Sequence, residues 1–396
     1  MDIRDGDLGA YHTYEEAMEE IERVAAENPD IARVETIGYS TYGRPIKAIK
    51  ISKDVNVEDP DKPEVLYMGQ THAREVISAE ASLGVVDRLI DGYGTDDYVT
   101  GLVDSRQIWV VPVVNPDGSM KVAEDVTARG DSSWRGNCRD NNGNGKVDDG
   151  DGVDLNRNWG RNWGGQGSSG TPGSQTYRGP APFSEPETAA IKKLTEEHDF
   201  VTSVSFHSYS GLILYPLGYT TTPAQDEDLL RSIAENMRDR QPHEKYIAEK
   251  SSDLYVASGD SDDWLYEDMG VLAFTFEVYK GGNSWWNTFK QFNPPEDRIQ
   301  YHVDNVVPAA LYAAEIADDP SQALIEREER DAQGPPAPEG PRDPADYWPD
   351  DDNPYLGGFP AGGGYSLKGL GPEYNGTNED PAEAYRRAEC EPECEA

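Results

Sequence analysis

The chain has 396 residues, 36% of them hydrophobic, with 75 Asp and Glu against 35 Lys and Arg, for a formal charge of −40. That length and apolar content suit one large or two average globular domains, and an acidic excess spread along the whole chain excludes nucleic acid or an anionic membrane as partners bound through a basic face. Residues 1–10, "MDIRDGDLGA", read as a flexible N-terminus without the charged start and apolar run of a signal peptide. "YEEAMEEIERVAAEN" repeats apolar residues at helical spacing and predicts an amphipathic helix over Tyr14–Asn28. "VETIGYS" and "PIKAIKIS" follow as a strand pair joined by "TYGR". "VLYMG", "IWVVPVV", "VTSVSF", "LILYP" and "LAFTFEV" read as short buried strands. Helical patterns lie between them: "EVISAEASLGVVDRLIDGY", "EPETAAIKKLTEEH", "AQDEDLLRSIAENMRD" and "RIQYHVDNVVPAALYAAEIADD". Strands alternating with helices predict a layered α/β domain on a parallel or mixed sheet over residues 11–318.

From Asp319 the periodicity gives way to Pro, Gly and acids, so Asp319–Ala396 reads as a mostly disordered acidic tail whose Tyr347, Trp348, Tyr355 and Phe359 are isolated stickers. The three cysteines, Cys138, Cys390 and Cys394, are too few for a disulfide framework. No run reaches the roughly 18 apolar residues of a membrane span, so no membrane insertion is expected. Dispersed like charge repels less when salt shortens the screening length, which fits a halophilic source. The melting temperature is expected to rise as NaCl or KCl is raised; maximal stability in dilute buffer would count against that origin.

Chemistry gathers at predicted strand ends. "YMGQTHAREVIS" follows a strand and opens a helix, placing His72 and Glu75 at the carboxyl edge of the sheet, where open α/β folds build their sites. "VSFHSYS" ends another strand on His207. Two histidines and a carboxylate can close three sides of a tetrahedral zinc and leave the fourth to water, although any one histidine alone is more often structural. "LAFTFEVY" sets Glu277 within an apolar strand, where a carboxylate needs an ion-pair partner or a task such as general base.

Together with "NPDG" (Asn115–Gly118), "DLNRN" (Asp154–Asn158), "HSYSGLILYP" and "LYVASGDSDDWLYEDMGVLAFTFE", these segments resemble the zinc metallocarboxypeptidases of the pancreatic carboxypeptidase A and B type, in the family's order and over roughly Tyr11–Asp318. The resemblance implies a three-layer α/β/α fold on a mixed eight-stranded sheet, one Zn2+ per chain, a monomer, and hydrolysis of the C-terminal bond of peptides and proteins. It implies that His72, Glu75 and His207 hold the zinc and that Glu277 activates water. Asn156 and Arg157 match the pair that grips the substrate's terminal carboxylate, for which a guanidinium fork is suited. Tyr255, twenty-two residues before Glu277, matches the mobile tyrosine that covers the substrate. Asp154 matches the carboxylate that orients a ligand histidine, taken as His72. Asn115 and Asp117 match as architecture, and Arg74 either recruits substrate or forms a structural ion pair. Asp262 falls where the B type carries an aspartate, with Gly218 as a small pocket residue, implying preference for C-terminal Lys or Arg; the other reading is that Asp260, Asp262 and Asp263 share the chain's acidic bias. Related functions are an amidohydrolase of cell-wall or modified peptides and a weak peptide-binding homologue. The family is suspected outside cells, but without a signal peptide in this chain the compartment stays open.

One feature departs from that pattern, and another stands beside it. An "R-x-x-R" segment after a tryptophan is expected to supply the oxyanion's cation, yet "WRGNCR" puts Cys138 at its fourth position. Three readings follow: Arg139 swings in, Arg135 serves, or the enzyme is weak; Arg139 is preferred, with Cys138 a buried small residue. "DNNGNGKVDDGD" sets Asp140, Asn142, Asn144, Asp148 and Asp151 at positions one, three, five, nine and twelve, with Gly145 at six, as in an EF-hand-type Ca2+ loop. A run of Asx and Gly turns would look the same.

Overall fold

A computed structural model describes residues 6–282 and 286–333. Eight strands form one sheet: β1 (Ala32–Tyr39), β2 (Pro45–Ile51), β3 (Glu64–Met68), β4 (Gln107–Val111), β5 (Phe200–His207), β6 (Leu212–Tyr215), β7 (Ile247–Lys250) and β8 (Leu272–Glu277). Their order is β1-β2-β4-β3-β5-β8-β6-β7. The central β4, β3, β5 and β8 run parallel, while β1/β2, β2/β4 and β6/β8 are antiparallel. This is the mixed eight-stranded sheet that the resemblance implies.

Alternation along each central strand divides the core between the two faces. Val65 and Tyr67 of β3 join one apolar cluster with Ile21, Val86 and Val306 of helices Tyr14–Glu27, Ile77–Gly92 and Ile299–Ala310. Leu66 and Met68 join the other, with Ile191 and Leu194 of helix Pro186–Glu197 and Trp264 and Leu265 of helix Ser261–Met269. The first helix begins on a capping box: Thr13 Oγ1 accepts from the Glu16 amide at 3.3 Å, and the Glu16 carboxylate accepts from the Thr13 amide at 2.9 Å.

Three expectations need correction. β7 carries charge at two of its four positions and an exposed Ile247, so it has no apolar run to announce it. The N-terminal residues are not all loose, because Leu8 is buried and the Asp7 amide donates to Thr127 Oγ1 at 2.7 Å. The tail does not begin at Asp319: Gln322–Gln333 is a helix, and Asn236 Nδ2 donates to Ala323 O at 3.2 Å. The chain divides into Met1–Glu326 and Arg327–Ala396; of the second unit only residues 327–333 are described, as the end of that helix. The tail aromatics, Cys390 and Cys394 lie outside the described residues. Among the described residues no helix is long and apolar enough to cross a membrane.

Candidate active site

Parallel pairing of β5 with β8 puts His207 in register with Glu277, each the last residue of its strand. The loop after β3 delivers His72 and Glu75 to the same edge before helix Ile77–Gly92 begins. His72 Nδ1 and His207 Nδ1 stand 3.1 Å apart; Glu75 reaches the first with Oε1 and the second with Oε2, both at 2.9 Å. All three residues are buried, and their ligand atoms lie within 4.8 Å of one another. Two nitrogens bound at about 2.0–2.1 Å to one tetrahedral ion would stand about 3.3 Å apart. Lone pairs of two rings and a carboxylate thus converge on a point that a zinc ion fits. Burial alone would push the Glu75 carboxyl up, but the imidazoles outweigh it and hold it well below the usual range.

Asp154 Oδ1 sits 3.1 Å from His72 Nε2, fixing the ring from behind. Its other oxygen accepts from Arg135 Nε at 3.0 Å, and an Arg135 terminal nitrogen lies 3.7 Å from Glu75 Oε1. Against the upward push of burial, Arg135, Arg157 and His72 keep Asp154 far below its ordinary value. The preference for Arg139 is thereby corrected: its guanidinium binds Glu185 Oε1 at 2.9 Å, on a side chain that is 38% exposed, and it is Arg135 that is buried beside the ligands. Cys138 is a buried free thiol in the apolar core, and burial pushes its titration well above normal.

The cleft beside this centre is lined by Asn156, Arg157, Tyr255, Asp260, Asp262 and Glu277, among others. Arg157 is buried, donating to Gly167 O at 2.9 Å, Asn156 O at 2.8 Å and the Tyr255 hydroxyl at 3.3 Å. Asn156 Oδ1 accepts from the Ser261 amide at 2.9 Å, which ties it to the pocket floor. On that floor, Asp262 accepts from Thr275 Oγ1 at 2.8 Å and from Ser261 Oγ at 3.3 Å. Burial, then the nearby Asp260, pushes Asp262 up to about 7. Asp263 instead faces the Gly218 and Tyr219 amides at 2.8 and 2.9 Å, so it holds the pocket wall. A Cβ on Gly218 would come within 2.8 Å of Asp260 Oδ2, so a larger residue there would require the Asp260 carboxylate to shift.

Arg74 donates to Ser133 O and Gln175 Oε1 at 3.3 and 3.2 Å, and its guanidinium carbon lies 4.2 Å from the centre of the Phe292 ring. Asn115 and Asp117 are architectural: Asn115 Nδ2 donates to Thr71 O and Gly136 O, and Asp117 binds the Tyr42 amide and Arg44. In the Asp140–Asp151 loop, Asp140 accepts from the Gly143 and Gly145 amides at 2.6 and 2.7 Å, and Asp151 from the Asn141 and Asp148 amides at 2.9 and 3.1 Å. The side-chain Nδ2 groups of Asn142 and Asn144 both turn toward Asp148, at 3.4 and 3.0 Å. The sequence reading missed Thr275 and Glu185, which become visible only when strands and loops distant in sequence meet.

The family model for zinc carboxypeptidases matches residues 17–309. Carboxypeptidase A2 of Rattus norvegicus is 34% identical over 275 residues, covering 68% of this chain and 62% of that protein. The chain thus spans under two thirds of the rat protein's length. Carboxypeptidase B of Astacus astacus is 33% identical over 284 residues, covering 70% of this chain and 89% of that protein. Among solved structures, carboxypeptidase A from Helicoverpa armigera superposes with a TM-score of 0.68 at 30% identity, over 78% of this chain and 73% of that one.

Proposed function

The chain belongs to the zinc carboxypeptidase family, and on that premise we propose that it hydrolyses the C-terminal bond of peptides and proteins, favouring C-terminal Lys and Arg. The observation that carries the reading is the joining of two halves: a His72–Glu75–His207 ligand set and, in the adjoining cleft, a buried Arg157 able to receive a free carboxylate. An endopeptidase has no need of the second half.

Arg157 and Asn156 bind the terminal carboxylate and so select the last peptide bond. The Tyr255 hydroxyl, now on Arg157, is displaced by that carboxylate and folds over the substrate. Zinc held by His72, Glu75 and His207 would polarise the scissile carbonyl and acidify water. Glu277, at the end of β8, takes the proton of the attacking water and returns it to the leaving amine. Arg135 supplies positive charge to the oxygen on which negative charge develops. Asp154 keeps both Arg135 and His72 in place.

Two buried carboxylates, Asp260 and Asp262, support the basic preference, since a cationic side chain is the partner that offsets their desolvation. Blocked dipeptides ending in Arg, Lys, Phe or Glu test the reading. Release is expected to vanish with chelator, return with zinc, and favour Arg over Phe by at least about tenfold. No chelator-sensitive release from any of them would defeat it. The selectivity should also depend on pH. Below about 7 the Asp262 carboxyl is protonated and offers a lysine or arginine no charge; above it the carboxylate is present, so the Arg/Phe ratio of kcat/KM should rise between pH 6 and 8. A flat ratio would remove Asp262 from the role.

The Asp140–Asp151 loop is proposed to take Ca2+, supported by donors at five EF-hand positions and by Gly145 at φ +77° at the sixth. Calorimetric titration with CaCl2 should give saturable heat that is lost in Asp140→Asn/Asp151→Asn; a flat titration leaves only the Asx turns.

A further inference from the structure

We infer that Glu185 is a positioning residue for the cleavage reaction: its buried carboxylate fixes the segment bearing Arg135, and its main-chain amide joins that point to the segment bearing Arg157. The inference rests on Arg135 being the cation that faces the developing oxyanion. Glu185 is 0% exposed and stands just before helix Pro186–Glu197, where a carboxylate commonly accepts the helix's own amides. Its side chain makes no such capping bond. It accepts instead from Ser184 Oγ at 2.7 Å, Asn137 Nδ2 at 2.8 Å and an Arg139 terminal nitrogen at 2.9 Å.

Asn137 is the intermediary, and its amide is fully engaged. Nδ2 donates to Glu185 and, at 3.0 Å, to Glu187; Oδ1 accepts from the Val153 amide at 2.9 Å and the Arg139 amide at 3.3 Å. The Asn137 main-chain N–H in turn donates to Val153 O at 3.0 Å. Two residues earlier, Arg135 O accepts from the Ala73 amide at 2.9 Å, next to the ligand His72. The other segment is joined through the main chain: the Glu185 amide donates to Asn158 Oδ1 at 3.2 Å, and Asn158 Nδ2 donates to Ser184 Oγ at 2.9 Å. Asn158 directly follows Arg157. A carboxylate that draws on a guanidinium and an amide together holds both by charge-assisted bonds. Arg139 thus acts through Glu185, and the side chain it helps to position is Arg135.

The test is a double-mutant cycle read in kcat on a blocked dipeptide, with zinc content and melting temperature recorded for each protein. In Glu185→Gln one N–H must face the Asn137 amide or Arg139, so the segment shifts and kcat is expected to fall about tenfold with KM changed less than threefold, since small displacements of a catalytic group weigh heavily on rate. Arg139→Gln, at a partly exposed position, should fall about threefold in the same direction and serves if Glu185→Gln fails to fold. In an Arg135→Ala background both substitutions should alter kcat by less than twofold. An equal loss with and without Arg135 would mean a general structural role and overturn the inference, as would wild-type kcat in both variants. If Arg135→Ala itself stays within tenfold of wild type, the reading of Arg135 fails first and the inference falls with it.

Discussion

Glu277→Gln is expected to lower kcat by about 100- to 10,000-fold, the range over which a positioned general base and acid contributes. Glutamine keeps the shape and the strand, so β8 should pair with β5 as before through the His207–Glu277 register. What is lost is a basic oxygen. KM should move little, because Arg157 and the pocket floor are untouched, and zinc content should stay near one per chain. Single-turnover and steady-state rates on the same C-terminal arginine substrate, with metal analysis, check the claim. A variant within tenfold of wild type would show that water is activated elsewhere.

Arg135→Ala is expected to lower kcat about 100- to 1000-fold, as for removal of an oxyanion donor, while Arg139→Ala loses less than tenfold. The asymmetry follows from where the two guanidinium groups lie: one is buried between Asp154 and Glu75, the other is half at the surface on Glu185. Because Arg135 also steadies Asp154, zinc content must be measured alongside, and Arg135→Lys adds a control that keeps charge but lacks the planar fork. The reverse order of losses would restore Arg139 to the oxyanion.

Strand ends could be read from the chain because buried parallel strands have abrupt apolar limits. "VSFH" places His207 at the point where its apolar run stops; Glu277 reads as lying within "LAFTFEV", yet β8 ends on it, and the sheet aligns the two residues. The segment Ser133–Arg139 offered no such guide. Irregular backbone has no period to say which side chain faces inward, so spacing alone could not separate Arg135 from Arg139. The partner that takes up Arg139 stands 46 positions away, at Glu185, and owes its place to the packing of another helix. The acidity of the pocket could be read from "SGDSDDW", but the division of labour within it could not. Asp262 and Asp263 are adjacent in sequence and diverge only because a helix turn points one at Thr275 and the other at the Gly218 amide.

His72 and His207 meet across 135 positions of chain. Bringing them together requires β3 and β5 to pair, at the loop-closure cost of a long-range contact. The ligand set therefore belongs to the native state alone, and by mass action any zinc it binds raises the free energy of unfolding. The same arrangement governs when the chain first becomes able to act. A ribosome-bound fragment that stops short of β8 has His72, Glu75 and His207 but lacks Glu277, so on the role proposed for Glu277 hydrolysis has to wait until β8 lies between β5 and β6.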